Sequence, residues 1–371
     1  MEFEFSEEQE MFRQAARDFL EKECPMTLVR EIEDNKTDYS PEVYRKIADL
    51  GWLGLMIPEK YGGSGGDWVD MAILSEEMGR SLLQGPAYST PVLSGQAILS
   101  FGAEQQQAEL LPYILQGKHI YAFCAAEPDL ISNLPDISTI ARRNGNGYLI
   151  SGNKSFVSDA NIAGHYLVLA KTEDGGPGLF IVDKANLGLS VTHFGSISGE
   201  RVSDVNLVNV EVPAESRLAE SVTWDAVEEL LDIERLILCA SGLGGAKSSL
   251  DMMVEYAKQR VIFGHPIGDY QSIQHNIADM ALDIESAGAL IYSAAWMSSN
   301  DIPCIKERAF AQLYCKKVFT RIAEQVTHCH GTVALCKDHN MTLYFRKAKA
   351  TQLSLNHADS YCAVITRGMG L

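Results

Sequence analysis

The spacing of apolar residues changes twice along this 371-residue chain, and these changes limit what it can fold into. Before about His119 and again after Pro213, apolar residues recur at helical spacing. Between these points, short runs rich in β-forming residues are separated by Gly, Asn and Asp, which is typical of antiparallel strands. We therefore expect a mostly helical α+β protein with an N-terminal helical domain (1–117), a middle antiparallel β domain (118–215) and a C-terminal helical bundle (216–371).

Local signals locate individual helices. Ser6 followed by Gln9 is a capping-box pattern and predicts a helix over 7–22. Ser40 and Pro41 form a second start signal, since serine is a good N-cap and proline is tolerated in the first turn. The helical pattern predicts further helices near 69–80, 103–115, 224–260, 271–299, 305–329 and 342–350.

Charge and composition exclude several classes of partner. The formal net charge is −18 and there is no Lys/Arg-rich block, so we expect no nucleic-acid partner. The longest apolar runs are too short for a membrane span, and the acidic start MEFEFSEEQE is unlike a signal or transit peptide. These features favour a cytoplasmic protein without a membrane partner. Eight scattered cysteines with no C-x-x-C pair argue against a disulfide framework.

Two short motifs could suggest a metal site or a nucleotide site. The segment HCHGTVALCKDH holds ligand types that suit zinc, but their spacing matches no familiar ligand pattern, so no metal is predicted. The segment GLGGA at 242–246 lies inside a helical pattern with no strand before it. We interpret its small residues as allowing close helix packing.

An adjacent carboxylate and guanidinium, Glu234 and Arg235, stand at the head of the apolar run in LLDIERLILCASG. Burying either charge without a partner is costly, so this position is either an interior ion pair or an acid/base group. Adjacent side chains on a helix point well apart, so the two residues need not pair with each other. The residues alone leave both interpretations open.

Four stretches, in this order along the chain, resemble the acyl-CoA dehydrogenase family of FAD flavoproteins. They are PEKYGGSGGDWVDMAILSEEMGR, GYLISGNKSFVSDA, YAKQRVIFGHPIGDYQSIQHNIADM and HCHGTVALCKDHNMTLYFRKAKA. The resemblance implies an enzyme of acyl-CoA degradation, in which a carboxylate removes the α-proton while the β-hydrogen leaves as hydride to FAD, giving a trans-2-enoyl-CoA. It also implies reoxidation by an electron-transfer flavoprotein. Because family members share each FAD across a subunit interface, a homotetramer or a heterotetramer with a paralogous chain is expected.

The resemblance also indicates which residue is the base. Most of the family uses a late Glu followed by Gly, but that place here is Leu355 followed by Asn356. A smaller branch, which includes isovaleryl-CoA dehydrogenases, carries its base in a pattern like L-D-L-E-R-L, and LDIERL puts Glu234 there. We therefore expect Glu234 to be the base, with Asp359 as the fallback. Arg235 and Leu355 are expected near the substrate, Leu355 through a backbone N–H aimed at the thioester carbonyl.

Positions that match the family's FAD contacts are spread from Phe123 to Gly331. Phe156 and Ser158 match residues that contact the isoalloxazine ring, and Arg260, Phe263 and Gln271 match the segment that holds the FAD of a neighbouring subunit. The complete set of expected FAD contacts is Phe123, Ala125, Ala126, Ser132, Phe156, Ser158, Arg260, Phe263, Gln271, His328 and Gly331. Ser132 is also expected to contact the CoA diphosphate.

Departures from the family pattern keep other functions open. The family's T-E-P-x-A-G-S-D loop reads AEPDLISN here, with Ile131 at a glycine position, and glycine allows closer backbone approach to a phosphate. The usual late Gln is His328. Such changes resemble the divergent partner chains of heteromeric dehydrogenases, so the first alternative is a non-catalytic or half-site subunit. The second alternative is a related flavin oxidase or monooxygenase that reacts with oxygen directly.

Overall fold

The computed structural model describes residues 5–128, 134–219 and 222–370, and of Arg201 only the backbone. Its described residues form two compact units. The first, which we call the helical unit, consists of three segments: the chain up to Glu31, Asp67–Leu83, and the chain from Arg235 onward. The other, which we call the sheet unit, consists of Ile32–Gly66 and Gln84–Glu234.

The helices in chain order are α1 (Glu7–Glu23), α2 (Met26–Asn35), α3 (Pro41–Asp49), α4 (Trp68–Arg80), α5 (Pro86–Ser89), α6 (Gln96–Phe101), α7 (Glu104–Leu115), α8 (Trp224–Gln259), α9 (Gln271–Ser299), α10 (Ile305–His330), α11 (Met341–Ser354) and α12 (Ala358–Gly368). The strands are β1 (Tyr121–Cys124), β2 (Ile140–Asn144), β3 (Gly147–Ser158), β4 (His165–Thr172), β5 (Pro177–Asp183), β6 (Leu189–Gly195), β7 (Arg201–Pro213), β8 (Val261–Ile262) and β9 (His265–Pro266). In the described residues, no helix has the length and apolarity needed to cross a bilayer.

The predicted helix starts are confirmed in atomic detail. The Ser6 hydroxyl oxygen accepts from the backbone N–H of Gln9 at 3.1 Å, and the Gln9 side chain accepts in return from the backbone N–H of Ser6 at 3.2 Å. This reciprocal capping box satisfies two N–H groups that the first turn of α1 leaves without helical partners. Ser40 caps α3, and Pro41 occupies its first turn.

Close packing of α4 and α8 confirms the interpretation of the GLGGA segment. A β-carbon built on Gly244 would lie 1.8 Å from the carbonyl oxygen of Glu76. In the other direction, a β-carbon on Gly79 would lie 1.9 Å from the carbonyl oxygen of Ser241. The two helices therefore touch backbone to backbone, and only glycine fits at these two points.

The sheet of the middle domain is mostly antiparallel, as expected, and it also contains two parallel strand pairs. Its strand order is β1-β4-β2-β3-β7-β6, with β5 also paired to β4. Most neighbours are antiparallel, but β1 and β2 both run parallel to β4. Alternating polarity fixes which face a side chain takes and does not say which strand lies alongside, so these parallel pairs had no signal in the sequence.

Strand β4 is buried on both of its faces. Tyr166 and Val168 lie in one apolar core with residues of β3 and β7. The alternate residues Leu167 and Leu169 lie in a second core together with Ile114 of α7. Helices therefore cover one face of the sheet. The carboxyl end of β1 pairs with the buried residues of β4.

Candidate active site

The carboxylate of Glu234 is held by a tyrosine that the sequence motifs did not indicate. Glu234 is half-buried on α8 and is the last residue of the sheet unit. The Tyr88 hydroxyl lies 2.9 Å from Oε1 of Glu234 and 2.8 Å from its main-chain oxygen. A phenol that donates to a carboxylate stabilises the charged form, which is the form able to accept a proton.

Helix α5, which carries Tyr88, is closely packed at its start and hydrogen-bonded at its end. It begins after Gly85, whose φ of 102° suits glycine, and Pro86 occupies its first turn. A β-carbon on Gly85 would lie 2.3 Å from Cβ of Tyr39, so the chain is closely packed there. Immediately after Tyr88, the Ser89 hydroxyl donates to Asp159. The Thr90 hydroxyl donates to the carbonyl oxygen of Tyr121 at 3.1 Å and accepts from the N–H of Tyr121 at 3.2 Å.

The backbone that follows β1 is fixed by a buried ion pair. Lys154, with a fully buried side chain, donates to Oε1 of Glu127 at 2.9 Å and to the carbonyl oxygen of Ala125 at 3.1 Å. Glu127 also accepts from Ser138 and Thr139. Burial alone would raise the pKa of Glu127, but these hydrogen bonds and the nearby ammonium lower it to about 2. Burial lowers the pKa of the Lys154 ammonium, and the hydrogen bond and charge of Glu127 oppose this shift.

A bulge in β3 presents the expected isoalloxazine contacts. The register between β3 and β7 shifts between Lys154 and Val157. Within that bulge Phe156 has a φ of 57°, a left-handed conformation that is strained for a non-glycine residue, and its side chain is 57% exposed. The N–H of Ser155 donates to the carbonyl oxygen of Ala126 at 3.0 Å. The structure therefore brings the Ala125–Ala126 backbone next to Phe156, with the exposed Ser158 nearby in β3 and the half-buried Phe123 in β1.

The expected contacts to a neighbouring subunit's FAD lie together in the helical unit. Arg260 directly precedes the β8–β9 hairpin, and its carbonyl oxygen accepts from the N–H of Ile267 at 2.8 Å. At the tip, Phe263 has a φ of 54° and is 92% exposed. The hydroxyl of Tyr270 donates to the carbonyl oxygen of Ile262 at 2.9 Å, so the hairpin folds back onto the start of α9, where Gln271 is exposed.

The remaining expected site residues of the helical unit lie on α8, at the end of α10 and after α11. Arg235 is half-buried and His328 is exposed. Gly331 ends α10 with a φ of 70°, and a β-carbon there would meet no atom within 4 Å. Leu355 is buried, and its N–H already donates to the carbonyl oxygen of Thr351 at 3.3 Å, so a substrate carbonyl would have to share this donor.

Several other sequence expectations concern loops and alternative sites. Ser132, with the neighbouring Ile131 and Asn133, falls outside the described residues. Asp359 is exposed in the first turn of α12, where the helix dipole favours a carboxylate. His330 stacks on Tyr256, with ring centroids 4.2 Å apart. In the part of the chain that the structure describes, no group of three or more His, Cys, Asp or Glu side chains could hold a metal ion.

Family models match most of the chain. The acyl-CoA dehydrogenase N-terminal domain matches residues 6–118, the middle domain matches 122–210 and the C-terminal domain matches 224–361. The chain belongs to the acyl-CoA dehydrogenase family. It is therefore an oxidoreductase that acts on CH–CH bonds, and FAD is its cofactor.

Individual relatives support this assignment along the whole length. The chain is 34% identical to the caffeyl-CoA reductase-Etf complex subunit CarC of Acetobacterium woodii, over 93% of each protein. It is 28% identical to the butyryl-CoA dehydrogenase of Megasphaera elsdenii, whose structure superimposes with a TM-score of 0.91 over 100% of both chains. A chain of the ChsE4-ChsE5 complex of Mycobacterium tuberculosis is 25% identical, with a TM-score of 0.91 over 100% of this chain and 99% of that one.

The residues of the sheet unit fit a flavin. Phe156 offers an exposed aromatic side chain, and its strained backbone is the kind of outlier that is found at ligand sites. Ser158 is an exposed hydroxyl two residues away. In the helical unit, the exposed Arg260 suits a diphosphate, because a guanidinium can bind phosphate oxygens in a bidentate manner.

Proposed function

We propose that the chain catalyses the α,β-dehydrogenation of an acyl-CoA thioester and that Glu234 is the base. The observation that carries this proposal is that the half-buried Glu234 carboxylate accepts a hydrogen bond from the hydroxyl of Tyr88. A buried leucine, Leu355, stands where most of the family has its carboxylate, and leucine cannot accept a proton. Partly buried carboxylates with a specific hydrogen-bond partner are frequent at functional sites, which further supports the assignment.

In the proposed reaction Glu234 takes the α-proton as the C–H bond breaks. The electron pair of that bond forms the new carbon–carbon double bond, and the β-hydrogen leaves with its own electron pair. FAD, when bound, accepts this hydride. The protein contributes the placement of Glu234, and the N–H of Leu355 is proposed to donate to the thioester carbonyl, where negative charge develops. In the reverse reduction the same carboxyl group would return its proton to the α-carbon.

The binding residues follow the family pattern. We propose that Phe156 and Ser158, with the Phe123–Ala126 segment, contact the flavin ring of the same chain. Arg260, Phe263 and Gln271 would contact the FAD of a neighbouring subunit, so the active form would be a tetramer of this chain or of this chain with a paralogue. His328 and Gly331 would complete the FAD contacts, whereas Arg235 and Ser132 would contact the acyl-CoA. An electron-transfer flavoprotein is the proposed electron partner, and the similarity to a reductase-Etf complex subunit supports this.

Substitution of the base tests the proposal directly. We expect Glu234→Gln to keep FAD content and acyl-CoA affinity but to slow flavin reduction at least ~100-fold, the lower range for loss of a general base. Stopped-flow bleaching of the flavin by a panel of acyl-CoAs, including butyryl-CoA and phenylpropionyl-CoA, measures this rate. Asp359→Asn is the matched control and should reduce at the wild-type rate. Wild-type reduction in Glu234→Gln, or loss of reduction in Asp359→Asn, would contradict the assignment.

The second candidate function is that of a half-site or non-catalytic subunit. The similarity to a chain of the ChsE4-ChsE5 complex supports it. Flavin per chain, measured by visible absorbance of the chain purified alone, separates the two functions. Close to one FAD per chain supports the dehydrogenase. No flavin, or about half that amount, supports the partner subunit. Fast reoxidation of the reduced flavin in air would instead support an oxidase or monooxygenase.

A further inference from the structure

Tyr88 lies outside all four stretches that carry the family resemblance, yet its hydroxyl contacts Glu234 twice. Its distances are 2.9 Å to Oε1 and 2.8 Å to the main-chain oxygen. A phenol has a single proton to donate. The bond to the carboxylate is the charge-assisted one and is therefore the stronger of the two. Through these contacts one hydroxyl reaches both the reactive end of Glu234 and its backbone.

The short helix that carries Tyr88 leaves the phenol little freedom to move. The two residues that follow Tyr88 are hydrogen-bonded to other parts of the sheet unit, Ser89 to Asp159 and Thr90 to Tyr121. The six residues from Thr90 to Gly95 form a π-helical turn, a conformation that is rare and is frequently found at functional sites. The phenol is therefore presented from a fixed backbone.

From this geometry we propose that Tyr88 is a positioning residue for the reaction. Its hydroxyl holds the Glu234 carboxylate in one orientation and in the ionised form before the α-proton is taken. This inference rests on the proposed role of Glu234 as base. On its own helix, the charged residues within two positions of Glu234 are Asp232 and Arg235. From α5, the titratable group that faces Glu234 is Tyr88.

Tyr88→Phe in the FAD-loaded enzyme tests the inference, because it removes the hydroxyl and keeps the ring. Hydrogen bonds to charged groups are strong enough that we expect the limiting rate of flavin reduction to fall by about 10- to 100-fold. FAD content and the dissociation constant for butyryl-CoA should not change. The acid limb of the pH–rate profile should move to higher pH, because the anion loses a donor that stabilises it.

Tyr113→Phe is the matched control. Tyr113 stacks on His119 in the same unit, and its substitution should leave the reduction rate and the pH profile at wild-type values. Two outcomes for Tyr88→Phe overturn the inference. One is a wild-type rate with a wild-type pH profile. The other is a loss confined to FAD content or acyl-CoA affinity, which would mean a purely structural role.

A second variant covers the case in which Tyr88→Phe does not give folded enzyme. Replacing Tyr88 with 3-fluorotyrosine keeps the hydroxyl and makes it a stronger donor, so the acid limb should move to lower pH. An unmoved acid limb would contradict the inference. Glu234→Gln separates this inference from the proposed function: if that variant still reduces flavin, both fail, and if it does not while Tyr88→Phe behaves as wild type, only the role of Tyr88 fails.

Discussion

At the scale of single residues, the Lys154–Glu127 pair shows how a buried charge can be kept for its geometry. The Lys154 side chain is 0% exposed and Glu127 is 3% exposed, so each loses most of its hydration. Between them they hold the carbonyl oxygen of Ala125 and the backbone N–H groups of Ser138 and Thr139. Such pairs add little net stability compared with apolar residues of the same size, but removing one partner leaves an uncompensated charge.

We therefore predict that Lys154→Met lowers the free energy of unfolding by about 3 to 5 kcal/mol, the range for a broken buried pair. Chemical denaturation measures the change. The double variant Lys154→Met with Glu127→Gln should recover part of this loss, because no charge is then left buried without a partner. The recovery should be incomplete, because Ser138 and Thr139 donate to different oxygens of Glu127 and an amide has only one acceptor oxygen. Lys118→Met, at an exposed position, is the control and should stay within about 0.5 kcal/mol of wild type.

The stability that Glu127 contributes through this ion pair should decrease as the pH falls. Folding lowers the pKa of Glu127 from 4.5 to about 2, so its contribution is fully present above pH 4.5 and disappears as the pH falls toward 2. The wild-type chain should therefore lose this contribution between these two values. Glu127→Gln has no such titration and should show a shallower loss of stability over the same range. Equal slopes for the two proteins would contradict the assigned role of the pair.

At the scale of elements, helix propensity and packing predict opposite effects of a Gly→Ala substitution where α4 contacts α8. Alanine is the better helix former by about 1 kcal/mol, so propensity alone predicts that Gly→Ala stabilises a helix. At Gly244 the new methyl group would lie 1.8 Å from the Glu76 carbonyl oxygen, which belongs to a backbone and cannot rotate away. We predict that Gly244→Ala destabilises the protein by about 1 to 3 kcal/mol or more, as overpacking usually does.

Gly288 of α9 is the matched control for Gly244. A β-carbon there would lie 3.6 Å from Cδ2 of Leu243, which is an ordinary contact. Gly288→Ala should therefore stabilise the protein slightly, by up to about 1 kcal/mol. Thermal unfolding of the two variants decides between propensity and packing. Stabilisation by Gly244→Ala would show that α4 and α8 are not in backbone contact.

Elements also differ in how far the sequence could predict them. Helix α1 was predictable because its signal, Ser6 and Gln9, lies within a few residues of the start. The pairing of β1 with β4 was not, because the β2–β3 hairpin separates them along the chain. The bulge at Phe156 depends on the register with β7. The motif LDIERL predicts a role for Glu234, and that role stays a prediction. Tyr88 has no such signal, because the two residues are 146 positions apart and their hydrogen bond has no local pattern.

At the scale of the whole molecule, we propose that another molecule covers the β8–β9 hairpin. Val261 is 55% exposed and Phe263 is 92% exposed, so the hairpin presents apolar surface to solvent. The left-handed φ of Phe263 adds strain of about 1 to 3 kcal/mol. An exposed and strained aromatic residue is expected where a ligand or a partner covers it. The proposed cover is the FAD of a neighbouring subunit.

Phe263→Ala tests this proposal, because it removes the aromatic contact and leaves the hairpin in place. We predict about a 10- to 100-fold weaker affinity for FAD, the equivalent of the ~1.5 to 3 kcal/mol gained by burying one such side chain. FAD titration of the apoprotein measures the affinity, and light scattering reports the accompanying change in oligomer mass. Leu187 of the sheet unit is 90% exposed, and Leu187→Ala should change neither quantity. Because FAD would join two subunits, weaker FAD binding in Phe263→Ala must also favour dissociation at low protein concentration. Wild-type FAD affinity together with wild-type mass would place Phe263 outside the cofactor site.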